Sequence, residues 1–389
     1  MKIAIVSDAI YPYNKGGKEK RIYEISTRLV ALGHDIHIYT MHWWRKQKRL
    51  GLPGGDRDGL PRGVETGRLE NGVYLHAISP YYPLYSGERR SIKQAIMFGL
   101  HCLKLIKEDF DVVDVDHMPF FPLYAVKLVC LLKRKKMFAT WNEVWGLDYW
   151  KKYLGLLGYL AYLIEKVSLY LPDVIISISP HTTKRLREEM NMTKPIETIE
   201  MGIDLDFINS VKPAKETSDI IFIGRLLAHK NVDVLIKAVK LLITHHQSSI
   251  TCFIIGSGPE KQNLIELTKN LGIEKHVIFK GAVESQKEIY ALMKSSKVFV
   301  LPSTREGFGI VVLEANACGI PVISVDHPDN AAKDLIKKNV NGVLTMLDIN
   351  QIAEVIRKVL KNQSRFHLVN DSNHSWDKTK NKILEVYKV

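Results

Sequence analysis

The chain has 389 residues, 46% of them hydrophobic, and carries 55 Lys and Arg against 42 Asp and Glu, for a net charge of +13. Such a length predicts two domains with ordinary cores, and with no run near about 18 uninterrupted apolar residues no membrane span is expected. The positive excess suits phosphorylated substrates, anionic lipid or nucleic acid, and the absence of any helix-turn-helix, zinc-finger or RNA-recognition signature argues against nucleic acid.

The first seven residues are too short for a signal-peptide core and run straight into domain sequence. The expectation is a cytoplasmic protein, free or peripheral at the cytoplasmic face of a membrane. Short β-branched runs then alternate with amphipathic stretches, the pattern of parallel sheets wrapped by helices. Strands are predicted at 2–7, 35–40, 72–77, 112–115, 137–140, 174–179 and 196–200, with helices such as 17–32 and 119–132 between them. Residues 41–68, rich in Gly, Pro and basic side chains, read as a long mobile loop. After a polar boundary at 202–219 the rhythm restarts. Strands are predicted at 220–224, 250–255, 277–280, 298–301, 321–324 and 342–345, and helices near 231–242, 259–271, 285–294 and 350–360. The expected domains are 1–203 and 204–374, followed by a helix at 375–389. Cys102, Cys130, Cys252 and Cys318 are scattered in apolar contexts and read as small core residues, not disulfides or metal ligands.

Candidate sites follow the strands. Gly16 and Gly17, after the first strand, permit close backbone approach to a phosphate, or form a plain loop. His117, in Asp116-His117-Met118-Pro119, is either a core histidine or a cleft residue. Glu143 and Trp145 either line a pocket or pack with aromatic neighbours. The Leu- and Tyr-rich segment 149–171 reads first as a buried helix covering the sheet, with a membrane-interface helix as the alternative. Trp43-Trp44-Arg45-Lys46-Gln47-Lys48-Arg49 and Lys133-Arg134-Lys135-Lys136 add basic and aromatic surface that suits anionic lipid.

In the second half, Ile221-Phe222-Ile223-Gly224-Arg225 ends a strand in a glycine and a cation, and Lys230 follows five residues on. Arg offers a planar fork to phosphate oxygens and Lys a compact point charge. Gly256-Ser257-Gly258-Pro259-Glu260 is a tight turn into a helix. The richest stretch is Pro302–Ala315. A strand ends, Glu306 follows in the loop, then Gly307-Phe308-Gly309-Ile310 opens a helix that carries Glu314. Amides at a helix N-terminus attract an anion, and a carboxylate can accept the hydroxyls of a sugar or a ribose.

Glu306 and Glu314 with the Gly-Phe-Gly between them, and the Glu-Ala-Asn-Ala-Cys-Gly-Ile-Pro run closing into a strand, resemble the E-x7-E element of retaining glycosyltransferases of family 4 (glycosyl transferases group 1). The resemblance implies a GT-B fold: an α/β architecture of two Rossmann-like domains whose parallel sheets face each other across a cleft. The N-terminal domain would bind the acceptor and the C-terminal domain the nucleotide sugar, with the last helix packing back on the former. It implies Arg225 and Lys230 on the diphosphate, as in the family's G-R-x4-K element, with Asn231 standing where that element usually has Gly. Glu306 and His117 would contact the transferred sugar, and Glu314 the ribose. Gly16 and Gly17 would line the cleft near the reaction centre, Gly256 and Val283 border the nucleotide, and Gly307, Phe308, Gly309 and Ile310 present the helix N-terminus. The family commonly has a Gly-Gly turn after the next strand; here Asp326-His327-Pro328-Asp329-Asn330 replaces it and leaves the transferred sugar open.

The reaction implied is a front-face substitution with no metal and no cofactor, in which a nucleotide-diphosphate sugar donates to a glycan, lipid or lipid-linked acceptor. A non-catalytic sugar-nucleotide-binding protein and a GT-B epimerase or phosphorylase are the competing readings. A dinucleotide oxidoreductase is disfavoured, since the first strand lacks its glycine fingerprint.

Overall fold

The computed structural model describes residues 1–44, 65–87, 89–246, 249–366 and 374–388, with only the backbone at 245 and 246. The Arg45–Arg49 portion of the basic loop therefore lies outside the described residues, as does most of 41–68. The chain divides into two compact units, one made of Met1–Met201 with Trp376–Val389, the other of Gly202–Ser375.

The first unit runs β1 (Lys2–Val6), α1 (Gly17–Ala31), β2 (Asp35–Met41), β3 (Thr66–Arg68), β4 (Tyr74–Ser79), the two-residue strands β5 (Tyr85–Ser86) and β6 (Arg89–Arg90), then α2 (Ile92–His101) and a 3-10 segment (Cys102–Lys107). It continues with β7 (Val112–Asp116), α3 (Phe121–Lys133), β8 (Lys136–Trp141), α4 (Gly146–Leu154), α5 (Leu157–Ser168), β9 (Val174–Ser177), α6 (Pro180–Glu188) and β10 (Ile196–Thr198). Its sheet has the order β10-β9-β8-β7-β1-β2-β4-β3. All neighbours are parallel except β3, which runs antiparallel on the β4 edge. The strands are near-continuous apolar runs because helices cover both faces.

The second unit runs α7 (Leu205–Ser210), β11 (Ser218–Ile223), α8 (Val232–His246), β12 (Cys252–Ile255), α9 (Lys261–Asn270), β13 (Val277–Gly281), α10 (Gln286–Lys294), β14 (Ser296–Leu301), α11 (Ile310–Ala317), β15 (Val322–Val325), β16 (Gly342–Thr345) and α12 (Ile349–Lys361). The chain closes with α13 (Trp376–Tyr387), which belongs to the first unit. The second sheet, β13-β12-β11-β14-β15-β16, is parallel throughout. In such doubly wound sheets the connections change direction at one point, and ligands bind outside the carboxyl ends of the strands there. That point lies between β11 and β14 in the second unit, and between β1 and β7 in the first.

Two expectations need correction. Trp43 and Trp44 do not add aromatic surface for lipid: Trp44 is fully buried, and Trp43 packs on the core with its Nε1 donating to Asp8 O at 2.8 Å. Residues 149–171 are not a single buried helix over the sheet. Gly155 takes φ +62° and splits the segment into α4 and α5, and Leu156, Leu157, Leu160 and Leu163 are exposed. Only glycine adopts that conformation without cost, so the break is written at one residue. The buried side of α5 is fixed by Glu165, which accepts from the Trp145 and Gly146 amides (2.9 and 3.1 Å) and from Trp150 Nε1 (2.7 Å). All four cysteines are buried and unbridged. Among the described residues no helix is long and apolar enough to cross a membrane.

Candidate functional site

β11 and β14 are neighbours, so the loops leaving their carboxyl ends lie side by side. The β11 loop carries Arg225, which is exposed, and ends in a 3-10 turn, Ala228–Lys230. The β14 loop carries Glu306. Lys230 Nζ and Glu306 Oε1 are 2.6 Å apart, both side chains largely withdrawn from water at 14% and 13% exposure. A residue in the left-handed region joins the two loops. Asn231 sits at φ +49° and donates from Nδ2 to the carbonyls of His229 and Pro302 (both 3.1 Å) and to Thr304 Oγ1 (3.3 Å). The Thr304 amide in turn donates to His229 O at 3.0 Å. Asn tolerates that backbone region better than other residues bearing a side chain, so it can stand where the resembling G-R-x4-K element usually has Gly, and its amide adds the bridge.

Beyond Glu306 the loop turns into α11 at Gly309, the N-cap, with φ +88°. A Cβ there would meet Ala332 Cβ at 2.3 Å, so glycine is required twice over, by conformation and by space. Ile310 begins the helix and Phe308 is buried, its ring 6.0 Å from His374. Glu314 is buried one turn in, its Oε1 accepting from Tyr290 Oη (2.8 Å) and Gln286 Nε2 (3.4 Å). Burial first, and the Glu314 carboxylate second, push the Tyr290 phenol up, which keeps it a proton donor to Glu314.

The 326–330 segment packs on the same loop. The Glu306 amide donates to Asp329 O (3.1 Å) and the Ala331 amide to Glu306 O (3.0 Å). Asn330 is fully buried and anchors the segment to Val325 O (2.7 Å). On the far side of β11, Gly256 approaches the end of that strand so closely that a Cβ would lie 1.9 Å from Gly224 O. Val283 is half-buried between β13 and α10.

The other expected residues belong to the first unit. Gly16 is the N-cap of α1 with an extended backbone, φ −168°, a conformation open to any residue. The Glu19 carboxylate already lies over it, 2.5 Å from where a Cβ would be, and only ordinary contact faces Gly17. His117 follows β7 and is buried against Trp141, ring centroids 4.8 Å apart. Its Nδ1 accepts from the Asn142 amide at 3.3 Å while Nε2 has no hydrogen-bond partner.

Beside His117 lies a charge cluster that the sequence reading passed over. Lys18 Nζ pairs with Asp116 and with Asp8 Oδ1 (2.8 Å), and Arg90 reaches Asp8 Oδ2 at 2.9 Å. Asn142 Nδ2 donates to Asp116 Oδ1 at 2.7 Å. Burial pulls the Lys18 ammonium down, but Asp116 and Asp8 outweigh it and the pKa is raised. Burial, the largest single influence, pushes Asp116 up, yet Lys18 and His117 together more than offset it and hold the carboxyl at about 2. The available signal was position: Asp116 ends β7, and Asp8 and Asn142 lie just beyond the carboxyl ends of β1 and β8. Trp145 is buried and packs with its ring 4.5 Å from that of Trp150, while its Nε1 donates at 2.8 Å to Glu143 Oε1 of a half-buried side chain.

Among the described residues no group of three or more His, Cys, Asp or Glu side chains is arranged to hold a metal ion. The doubly wound units and the paired loops beyond β11 and β14 define a GT-B glycosyltransferase scaffold. Residues 15–207 match the family described as Glycosyltransferase Family 4, and residues 205–382 match Glycosyl transferases group 1. The chain belongs to this family.

A glycosyltransferase of Methanocaldococcus jannaschii is 32% identical over 195 residues, 48% of each chain. A GDP-mannose-dependent alpha-(1-6)-phosphatidylinositol monomannoside mannosyltransferase of Mycobacterium tuberculosis is 26% identical over 222 residues, 52% of this chain and 57% of that one. The chain thus spans about half the length of these curated relatives. Sucrose-phosphate synthase from Thermosynechococcus elongatus shares the fold, with a TM-score of 0.77 over 100% of this chain and 98% of that one at 16% identity.

Proposed function

We propose that the chain is a retaining glycosyltransferase that moves a sugar from a nucleotide-diphosphate sugar to an acceptor hydroxyl. The observation that carries the reading is the Lys230–Glu306 pair at the point where the second sheet changes direction, next to the glycine-gated N-terminus of α11. One cation of that pair serves a diphosphate and its carboxylate partner a sugar hydroxyl. Arg225 adds a second cation and Glu314, with its protonated Tyr290 neighbour, a buried acceptor for ribose hydroxyls.

In the front-face course, the bond from the anomeric carbon to the phosphate oxygen breaks as the bond to the acceptor oxygen forms on the same face. The acceptor's proton passes to the departing diphosphate. The charge gathered on that group is met by Arg225, Lys230 and the α11 amides, so the chemistry needs no metal ion and no cofactor. A lipid or lipid-linked acceptor, reached by a protein peripheral at a cytoplasmic membrane face, is supported by the mycobacterial relative that acts on phosphatidylinositol monomannoside.

The test is transfer from a panel of labelled nucleotide sugars by the wild type, Arg225→Ala and Lys230→Ala. Each variant is expected to lose on the order of 10²-fold in kcat or more, as when one preorganised donor to a developing charge is removed, with the fold retained by circular dichroism. Wild-type turnover in both would refute the assignment; epimer formation without transfer would favour the epimerase reading.

A further inference from the structure

Most of the exposed large apolar side chains among the described residues lie in one stretch of the first unit, between Ile92 and Tyr170. On α5, Leu160, Leu163 and Val167 follow Leu156 at helical spacing and form one outward stripe, with Leu156 88% and Leu160 57% exposed. On α3, Leu128, Leu131 and Leu132 do the same, the last two 64% and 68% exposed. On α2, Ile92, Ile96 and Leu100 repeat every fourth residue on the exposed side.

The elements that carry these stripes are neighbours. Tyr124 Oη of α3 donates to Ile164 O of α5 at 2.8 Å. Lys133 Nζ at the end of α3 reaches Ile106 O in the 3-10 segment at 3.1 Å. Gly99 of α2 lies so close to Phe121 of α3 that a Cβ would be 2.6 Å from that side chain. Exposed apolar side chains gathered on neighbouring helices in this number mark a place where something binds.

The charge on these elements says what. α2, the 3-10 segment, α3 and α5 carry Lys93, Lys104, Lys107, Lys127, Lys133 and Lys166. Their one carboxylate, Glu165, is fully buried and turned inward to Trp145 and Trp150. Lysine ammoniums lie over the aromatic rings here, Lys151 5.4 Å from Tyr159 and Lys166 5.8 Å from Tyr162, an arrangement that lets apolar bodies sink while charged heads stay at headgroup level. A second copy of the chain docked symmetrically would set these lysines against each other.

We infer that the α2–α3–α5 face is a docking surface for an anionic lipid bilayer. It extends the lipid-acceptor reading above but is independent of transfer chemistry. Lys93, Lys133 and Lys166 meet phosphate headgroups, and the leucine stripes enter the boundary with the acyl chains. The basic segment 133–136, read from the sequence as lipid-facing, continues directly from α3.

The full chain is mixed with vesicles of phosphatidylcholine alone or with phosphatidylglycerol, at low and high salt, and sedimented. Binding is expected to the anionic vesicles, at least about tenfold weaker to the neutral ones, and weakened by salt. The double variant Leu131→Glu, Leu160→Glu is expected to lose about tenfold or more in vesicle affinity, at two exposed positions where the melting temperature should not move. A wild type that stays in the supernatant with anionic vesicles at low salt overturns the inference, and so does a double variant that binds unchanged. A wild-type dimer in sedimentation velocity that the double variant dissociates also overturns it, assigning the face to self-association. Vesicle binding by a protein without transfer activity would leave this surface standing and remove the proposed function instead.

Discussion

Asn231 shows how a single side chain can do two jobs at a turn. Its backbone takes φ +49°, and its amide stitches the turn carrying Lys230 to the loop carrying Glu306. The two contributions separate by substitution. Asn231→Gly keeps the backbone conformation and loses the bridging bonds. Asn231→Val loses both, adding the cost of about 1–2 kcal/mol for a branched residue in the left-handed region to about 1 kcal/mol per lost hydrogen bond. Urea unfolding should therefore rank wild type above Gly and Gly above Val, and nucleoside-diphosphate affinity should follow the same order. A Gly variant as stable as wild type would mean the bridge contributes nothing. From the sequence, Asn231 was visible only as a departure from a motif. The motif's charges were legible because their identity and spacing are the signal. The bridge was not, because its partners, Pro302 and Thr304, lie about seventy residues away in the chain and meet Asn231 only through the β11–β14 pairing.

The pairing of α1 with β7 through Lys18 and Asp116 is the corresponding device at the scale of elements. Asp116 titrates at about 2 in the folded chain, against about 3.9 for a free aspartate. A depressed carboxylate stabilises the fold fully above its unfolded pKa and ceases to do so as pH falls through the folded value. That contribution, about 2 kcal/mol at neutral pH, should be present above about pH 4 and gone near pH 2. Asp116→Asn should accordingly melt lower than wild type at pH 7, the gap closing on acidification over that window. A gap that is constant from pH 7 to pH 2 would show that the charge is not what ties these elements together. Element positions were largely readable, since alternation of β-branched runs and amphipathic stretches reports burial on two faces. The failure at 149–171 has a simple cause. Leucine on the surface and leucine in a core are the same letter, and only the positive φ at Gly155 and the inward turn of Glu165 decide which side of α5 is buried.

Over the whole molecule, the chain leaves the first unit at Met201, builds the second, and returns to the first with α13. The return is structural for that unit. Ile383, Leu384 and Tyr387 join its core and Trp376 is buried as well, Thr379 Oγ1 donates to Glu200 O at 2.9 Å, and Tyr387 Oη donates to Asp114 Oδ2 at 2.6 Å. Burial pushes the Asp114 carboxyl up, and the Tyr387 hydrogen bond and Arg21 only partly offset it. Losing Tyr387 would therefore leave a buried acidic group without one of its main partners. Burying four large apolar side chains is worth roughly 2 kcal/mol each, a sum comparable to the roughly 5–15 kcal/mol that stabilises a whole domain. A chain ending before Trp376 should thus lose the first unit's cooperative melting while 202–375 still unfolds as a unit. In calorimetry the truncated chain is expected to show one transition in place of the full-length pattern, and UDP or GDP should raise it if the donor site is confined to the second unit. Survival of the first unit's transition at its full-length temperature would show that α13 is an appendage and that the cores of β1, β2 and β7 close without it.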